Sequence, residues 1–192
     1  SFSDGNNQIR SIHMNIFKLH ENPQICAAMH CDKHVVKMIL ETAQMLSTAH
    51  RMSAVDNEYA DEHSLYKAAY KNHPSTVWVR NNLKNYMWTC SLFLHLCKEY
   101  TKRYDRHHSS EELYEPFQNT PQEILFNDGG RRLAFPQCMP DQYKVKYNPV
   151  KAYRNYYAGE KARFAKWEKG TPAPKWWSKS ILSAKGGVVD RV

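Results

Sequence analysis

Residues 32 to about 49 form a predicted helix that is apolar around most of its circumference and polar along one narrow stripe. At roughly 100° per residue, the stripe occupies an arc of about 80°. It comprises His30 just before the helix, and then His34, Lys37, Glu41, Gln44 and Thr48. Such a helix is buried on most sides. Because isolated buried charges are costly, the stripe either satisfies itself in the core or lines a water-filled site.

Composition limits the class of protein. The chain has 192 residues, 42% hydrophobic and 24% charged, which is typical of a globular protein with one domain. We find no apolar stretch long enough to span a bilayer and no secretory signal, so no membrane association is expected. The five cysteines lack the paired spacing of disulfide frameworks or zinc sites, which favours a reducing compartment such as the cytoplasm.

Positive charge is concentrated at the C-terminal end. The net charge is +8, and residues 142–192 contain twelve Lys and Arg against three acids, interleaved with aromatic residues. Lysine and arginine neutralise phosphates while aromatic rings stack on bases, so this pattern predicts contact with DNA. The alternative is a solvated tail. The candidate DNA-binding residues are Arg80, Lys84, Trp88, Lys144, Arg154, Lys161, Trp176 and Trp177.

The periodicity predicts a mainly α-helical fold with long irregular loops and little or no sheet. We expect one compact helical domain over residues 14–177, a loose extension over 1–13 and a basic tail over 178–192. Long helices are predicted over 76–104 and 150–169, and a short one over 65–71. Residues 15–19 alternate as a strand would.

Three residues of the stripe have side chains suited to catalysis. Glu41 is a candidate general acid or base, Lys37 an electrostatic partner or imine-forming amine, and His34 a proton shuttle or phosphate ligand. An intrahelical ion pair between Lys37 and Glu41 is the structural alternative. His30 and His34 are an alternative metal pair, although no further ligands complete a set, and we expect no metal. The absence of a phosphate-binding glycine loop predicts no nucleotide cofactor.

Several motifs resemble a family of small uncharacterised proteins of tailed phages, notably those of marine bacteria. The motifs are residues 31–44 and 46–51, then Asn72–Ser75 with Trp78 and Arg80, then Pro136–Pro140 with Tyr143 and Lys144, and finally Tyr153, Arg154, Tyr156, Tyr157, Glu160 and Lys161. The resemblance covers residues 14–177. It implies action in the cytoplasm of a phage-infected bacterium.

The chain also resembles, more distantly, the pyrimidine-dimer DNA glycosylases of the endonuclease V type. The shared features are the segment from Met14 to His20, a helix bearing a carboxylate, His73 and Pro74 followed by Arg80, and an aromatic C-terminus. In that family the α-amine of a short N-terminus attacks the sugar C1′ and a glutamate assists, a role that falls to Glu41 by position. Here thirteen residues precede Met14, and the helix lacks the adjacent Arg-Glu pair of the family.

The leading hypothesis is therefore a DNA-acting enzyme of phage type, a glycosylase or related nucleobase-modifying enzyme without a cofactor. The basic residues near Glu41 would hold DNA phosphates, since such contacts position a duplex for base chemistry. The alternative is a non-catalytic DNA-binding, accessory or virion protein, in which the stripe only braces helices.

Overall fold

Helices account for all of the regular secondary structure that the computed structural model describes, which covers residues 14–126 and 133–177. The predicted mainly α-helical class is confirmed, and no strand forms in these two ranges. The helices are α1 (Pro23–Met29), α2 (Asp32–Arg51), α3 (Asn57–Glu62), α4 (Pro74–Asn81), α5 (Leu83–Tyr104), α6 (Tyr114–Phe117), α7 (Gln122–Phe126) and α8 (Pro149–Tyr156). Short 3-10 turns cover Ser109–Leu113 and Asp141–Tyr143, and a π-helical turn covers Tyr157–Lys161.

Helix α2 lies at the centre of the molecule and packs against α5 and α4. Most of its apolar residues, among them Val35, Ile39 and Leu46, are fully buried, whereas Leu40 is 42% exposed. Each such side chain contributes about 1.5–3 kcal/mol of transfer free energy. The sequence placed this helix within about two residues of its ends, since its apolar pattern covers so much of the circumference. The predicted extension 1–13 and tail 178–192 lie outside the described residues.

The predicted helix over 76–104 is wrong, because Asn82 divides it into α4 and α5. Asn82 adopts an extended backbone with φ −155°, and its side chain accepts a hydrogen bond from the Asn85 N–H. An asparagine offers this cap in place of the helical hydrogen bond. Asn85 Nδ2 then donates to the Trp78 carbonyl at 2.9 Å, which ties the two helices together across the break.

Two other predicted elements form no regular secondary structure. Residues 65–71 are not helical: Arg51 donates to the carbonyls of Leu65 and Tyr66, and Thr48 Oγ1 accepts the Ala69 N–H. Residues 15–19 run along the core without a strand partner.

The predicted helix over 150–169 is also too long. After α8 the chain forms the π-helical turn and then leaves helical geometry to cross the N-terminus of α2. There the Asp32 N–H donates to the Lys166 carbonyl at 2.8 Å, and the Glu168 N–H donates to Asp32 Oδ2 at 2.8 Å. These tertiary hydrogen bonds replace the helical ones that the sequence pattern implies.

A buried arginine joins the helix ends. The Arg103 side chain is 0% exposed, and its guanidinium donates to Asp32 Oδ1 at 3.2 Å and Glu99 Oε2 at 2.9 Å. It also donates to the carbonyls of His30 and Ala28 at the end of α1. One side chain of α5 therefore fixes the junction between α1 and α2.

None of the helices in the described ranges is long and apolar enough to cross a membrane. All five cysteines are free thiols, as the lack of paired spacing predicted. The fold is therefore held by side-chain packing and hydrogen bonds.

We expect Arg103→Met to lower the free energy of unfolding by about 3–5 kcal/mol, because it leaves Asp32 and two carbonyls buried without their donor. Denaturant unfolding followed by circular dichroism measures the change. Asp61→Asn is the control: it breaks the ion pair with Arg51 at a carboxylate that is 74% exposed, and less than about 1 kcal/mol is expected. Equal losses in the two variants would contradict a central role for Arg103.

Candidate active site

Glu41 lies on α2, and its carboxylate is largely buried. Its side chain is 9% exposed; Oε2 accepts the Asn15 backbone N–H at 3.2 Å, and Oε1 lies 3.8 Å from Lys37 Nζ. Burial raises the pKa of Glu41 from 4.5 to about 7, against the opposing effects of Lys37, the Asn15 N–H and Lys161. A carboxyl group that titrates near neutral pH can act as a general acid or base.

The segment that contacts Glu41 is held firmly. Asn15 Nδ2 donates to the Cys138 carbonyl at 2.8 Å. The hydroxyl of Tyr153, which is fully buried, lies 2.8 Å from Asn15 Oδ1 and 2.9 Å from the Pro136 carbonyl. The Asn15 backbone nitrogen is therefore positioned against the carboxylate by contacts from the C-terminal half of the chain.

Two lysines flank the carboxylate. The Lys37 side chain is 42% exposed and reaches solvent. Lys161 is half-buried, with its Nζ 4.8 Å from the centre of the Tyr156 ring and 5.8 Å from that of Phe17. Burial first, and then the charge of Lys37, lower the pKa of Lys161. The site thus combines one carboxyl group with two amines.

A glycine in the π-helical turn that carries Lys161 lets an aromatic ring approach the backbone closely. A Cβ at Gly159 would lie 2.3 Å from Cε1 of Tyr143, so any other residue would force this ring to move. The Tyr143 hydroxyl donates to Glu160 Oε1 at 2.9 Å across the turn. Turns of this type are frequent at functional sites.

His34 lies behind the site and is enclosed. Its Nδ1 is 2.6 Å from the Tyr157 hydroxyl, and its ring stacks on Phe17 with 4.6 Å between centroids. Burial is the main reason that the pKa of His34 falls to about 2, so the ring is neutral at physiological pH. These surroundings suit a positioning residue, and the catalytic role predicted for His34 stays a prediction.

His30 does not continue the stripe, because α2 begins at Asp32. It is fully buried, with Nδ1 2.7 Å from the Cys26 carbonyl, and burial lowers its pKa to about 4. Within residues 14–126 and 133–177, no three His, Cys, Asp or Glu side chains are grouped so that they could hold a metal ion.

The eight predicted DNA-binding residues are spread over the molecule. Lys161 is the member whose charge acts on Glu41. Arg80 is half-buried beside a cavity of about 360 Å³, and Lys84 is exposed. The others have these contacts: Trp88 Nε1 donates to the Glu21 carbonyl, Lys144 pairs with Asp141, Arg154 donates to the Leu19 carbonyl, and Trp176 and Trp177 pack beside Tyr157. Their DNA-binding role stays a prediction.

Sequence reasoning missed the parts of the site that tertiary contacts assemble. Asn15 belongs to the segment that resembles the glycosylases and Tyr153 to a motif of the phage resemblance, yet nothing local indicates that they meet. An open cleft with a volume of about 600 Å³ is lined by Lys33, Lys166 and Lys169 as well as Lys37. Lys166 and Lys169 lie in the part of the predicted helix 150–169 that does not form.

Comparison with known families identifies the chain. The sequence profile described as pyrimidine dimer DNA glycosylase matches residues 14–112, which is 99 of the 192 residues. The chain belongs to the pyrimidine dimer DNA glycosylase family. This confirms the more distant of the two resemblances. No curated protein and no solved structure matches the chain.

The part shared with the glycosylase family carries Asn15, Lys37 and Glu41. Tyr153 and Lys161 lie beyond it. Glu41 and Asn15 thus come from the family region, whereas Tyr153 and Lys161, which contact or flank them, come from the rest of the chain.

We expect Glu41→Gln to stabilise the fold at about pH 8 and to have a much smaller effect at about pH 5. Because the pKa of Glu41 is higher in the folded chain than in the unfolded chain, the free energy of unfolding falls as the pH rises from about 4.5 to about 7. Removing the carboxyl group should recover about 1–3 kcal/mol at the higher pH. Thermal unfolding at the two pH values measures it.

Glu58→Gln, at an exposed position, removes the same formal charge and supplies the baseline for this comparison. A Glu41→Gln protein that is destabilised at about pH 8 would show that the carboxylate braces the fold, as the structural alternative requires.

Proposed function

We propose that the protein is a DNA glycosylase with lyase activity on pyrimidine dimers, in which Glu41 is the catalytic carboxylate. The observation that carries this proposal is the 3.2 Å contact between Glu41 Oε2 and the backbone nitrogen of Asn15, near the start of the region that matches the glycosylase family. The resemblance implies that an N-terminal amine attacks the sugar. This contact supports Asn15 as the residue that bears it.

The chemistry needs an uncharged amine and a group that exchanges protons beside it. The amine nitrogen forms a bond to C1′ while the bond from C1′ to the base breaks, and the electron pair of that broken bond leaves with the base, which takes a proton. The nitrogen loses a proton, the bond from C1′ to O4′ breaks, O4′ takes a proton, and an imine forms between the nitrogen and C1′. Removal of a C2′ proton then expels the 3′ phosphate and cleaves the strand. Glu41, with its pKa near 7, can donate the first proton and accept the later one.

The state of the Asn15 nitrogen decides whether the reaction can begin. In the 192-residue chain this nitrogen belongs to a peptide bond, whose lone pair is delocalised and not nucleophilic. A chain that starts at Asn15 would present an α-amine at the same place, and such amines have a pKa near 8. Lys37, 3.8 Å from Glu41, is the alternative amine.

We expect a chain that starts at Asn15, released from a cleavable fusion, to form a borohydride-trapped adduct with ultraviolet-irradiated duplex DNA. The 192-residue chain should trap at least about 100-fold more slowly, since its nitrogen is an amide. Unirradiated duplex is the control substrate. Equal trapping by both chains would place the amine elsewhere, with Lys37→Met as the next variant. An absence of adduct and of strand cleavage in both would overturn the lyase proposal.

In the chain that starts at Asn15, Glu41→Gln should lower the single-turnover rate about 10²–10⁴-fold, the usual contribution of a general acid or base. A bend near pH 7 in the pH–rate profile should disappear with it. Affinity for irradiated DNA should stay within about threefold, because DNA affinity depends chiefly on phosphate contacts. Glu58→Gln is the matched control. A full rate in the Gln variant would remove Glu41 from the mechanism.

The cellular setting follows the phage resemblance: we propose that the enzyme acts on DNA in the cytoplasm of an infected bacterium. The five free thiols are consistent with a reducing compartment. If Glu41→Gln and Lys37→Met leave DNA binding intact and no variant or substrate shows turnover, the non-catalytic DNA-binding alternative is favoured.

A further inference from the structure

A cleft of about 600 Å³ opens beside the candidate active site, between the first turns of α2 and the segment 164–169. Lys37 lines this cleft and also lies 3.8 Å from Glu41. Because one side chain belongs to both, whatever enters the cleft approaches the catalytic carboxylate. Three further lysines stand at its edge: Lys33, Lys166 and Lys169.

One of the two acidic residues that line the cleft, Asp32, already has partners within the fold. Asp32 is buried; its Oδ1 accepts from Arg103 at 3.2 Å and its Oδ2 accepts the Glu168 N–H at 2.8 Å. The Glu168 side chain is the other carboxylate that lines the cleft. Four lysines therefore line the cleft together with one acid, Glu168, that forms no ion pair among the described residues. The cleft thus carries a net positive charge.

Two of these lysines, Lys33 and Lys169, lie against aromatic rings. Lys33 Nζ lies 4.9 Å from the centre of the Phe164 ring, and Lys169 Nζ lies 5.1 Å from that of Tyr104. Neither of these, nor Lys166, forms an ion pair with a carboxylate in the described part of the chain. Such contacts place cations without satisfying their charge, as a site for an external anion requires.

The walls of the cleft are apolar below this cationic edge. Val36, Phe164 and Tyr104 supply the carbon surface. A simple phosphate would use the lysines and leave this surface in water. An anion that carries a flat apolar group would cover both, and a nucleotide has this construction. The volume lies within the usual range of about 300–1,000 Å³ for small-ligand sites.

We propose that this cleft binds the DNA nucleotide next to the reacting one, with its phosphate among Lys33, Lys166 and Lys169 and its base on the apolar wall. The identity of the polymer rests on the proposed function. A base reaches the wall only when it is unstacked from its neighbours. The cleft therefore selects DNA that is locally unpaired beside the damaged site over intact duplex.

The test measures binding of the 192-residue chain to a fluorescent duplex with one tetrahydrofuran abasic analogue, by anisotropy across a range of salt concentrations. Lys166→Gln with Lys169→Gln should lower affinity about 10-fold at about 0.1 M salt and reduce the slope of log K against log salt by about 2. Lys67→Gln with Lys71→Gln removes the same charge from exposed positions as the control. Equal effects of the two pairs would overturn the proposal.

A second variant separates stacking from charge. Phe164→Leu should weaken binding of the abasic duplex at least about 5-fold with no change in salt slope, and change binding of the intact duplex little. A thermal unfolding curve within a few degrees of wild type establishes that the fold of the variant is intact. If the variant is unfolded, a competition assay on the wild-type chain answers the same question: deoxythymidine monophosphate should displace the labelled duplex better than inorganic phosphate does. No preference for the nucleotide, or equal competition by polyglutamate, would overturn the nucleotide assignment.

These binding measurements require no turnover. If no imine is trapped but the lysine variants change the salt slope as expected, the lyase proposal fails and the assignment of the cleft stands. If an imine is trapped but the lysine variants leave the salt slope unchanged, the assignment of the cleft fails and the lyase proposal stands.

Discussion

The buried contact between Arg103 and Asp32 is the constraint on which the rest of the structure depends. Arg103 gathers the last carbonyls of α1 and the first residue of α2, and Asp32 uses its other oxygen and its N–H to hold the segment 164–169. A buried ion pair is favourable only when its remaining donors and acceptors are satisfied, and here they are. The start of α2, the direction of its polar stripe and the lysines of the cleft all follow from this junction.

The charge of Glu41 is compensated less completely than that of Asp32. Asp32 has a guanidinium and a backbone N–H at hydrogen-bond distance, whereas the nearest cation to Glu41 is 3.8 Å away on a side chain that reaches solvent. The incomplete compensation leaves burial as the dominant influence, and the pKa rises to about 7. A fold under selection for stability alone would complete this pair or replace it with apolar residues. An acid near neutrality is useful where protons are exchanged with a substrate.

How far the sequence predicted the structure depends on how local each feature is. Helix α2 follows from a repeat within a few residues, and the sequence predicts it. The same spacing offers the pairing of Lys37 with Glu41 as the structural alternative, and the structure shows this pair. The helix breaks at Asn82 because the asparagine side chain caps α5 and the backbone there is not helical. The spacing of apolar residues carries no information about such a cap. The crossing of segment 164–169 over α2 and the contact of Asn15 with Glu41 join distant residues. No local pattern predicts such contacts, so the sequence does not predict the cleft.

The division of the site between the two halves of the chain bears on how the glycosylase family can vary. The region that matches the family supplies Glu41, Lys37 and Asn15, which are the groups proposed for bond breaking. The remaining chain supplies Tyr153, which fixes Asn15, and one side of the cleft, with Phe164, Lys166 and Lys169. Chemistry requires a fixed arrangement of a few atoms, whereas recognition of flanking DNA tolerates changes in length and charge. Under the proposed function, substitution of Lys166 or Lys169 would change which damaged DNA is bound and leave Glu41 in place, whereas substitution of Tyr153 would also release Asn15.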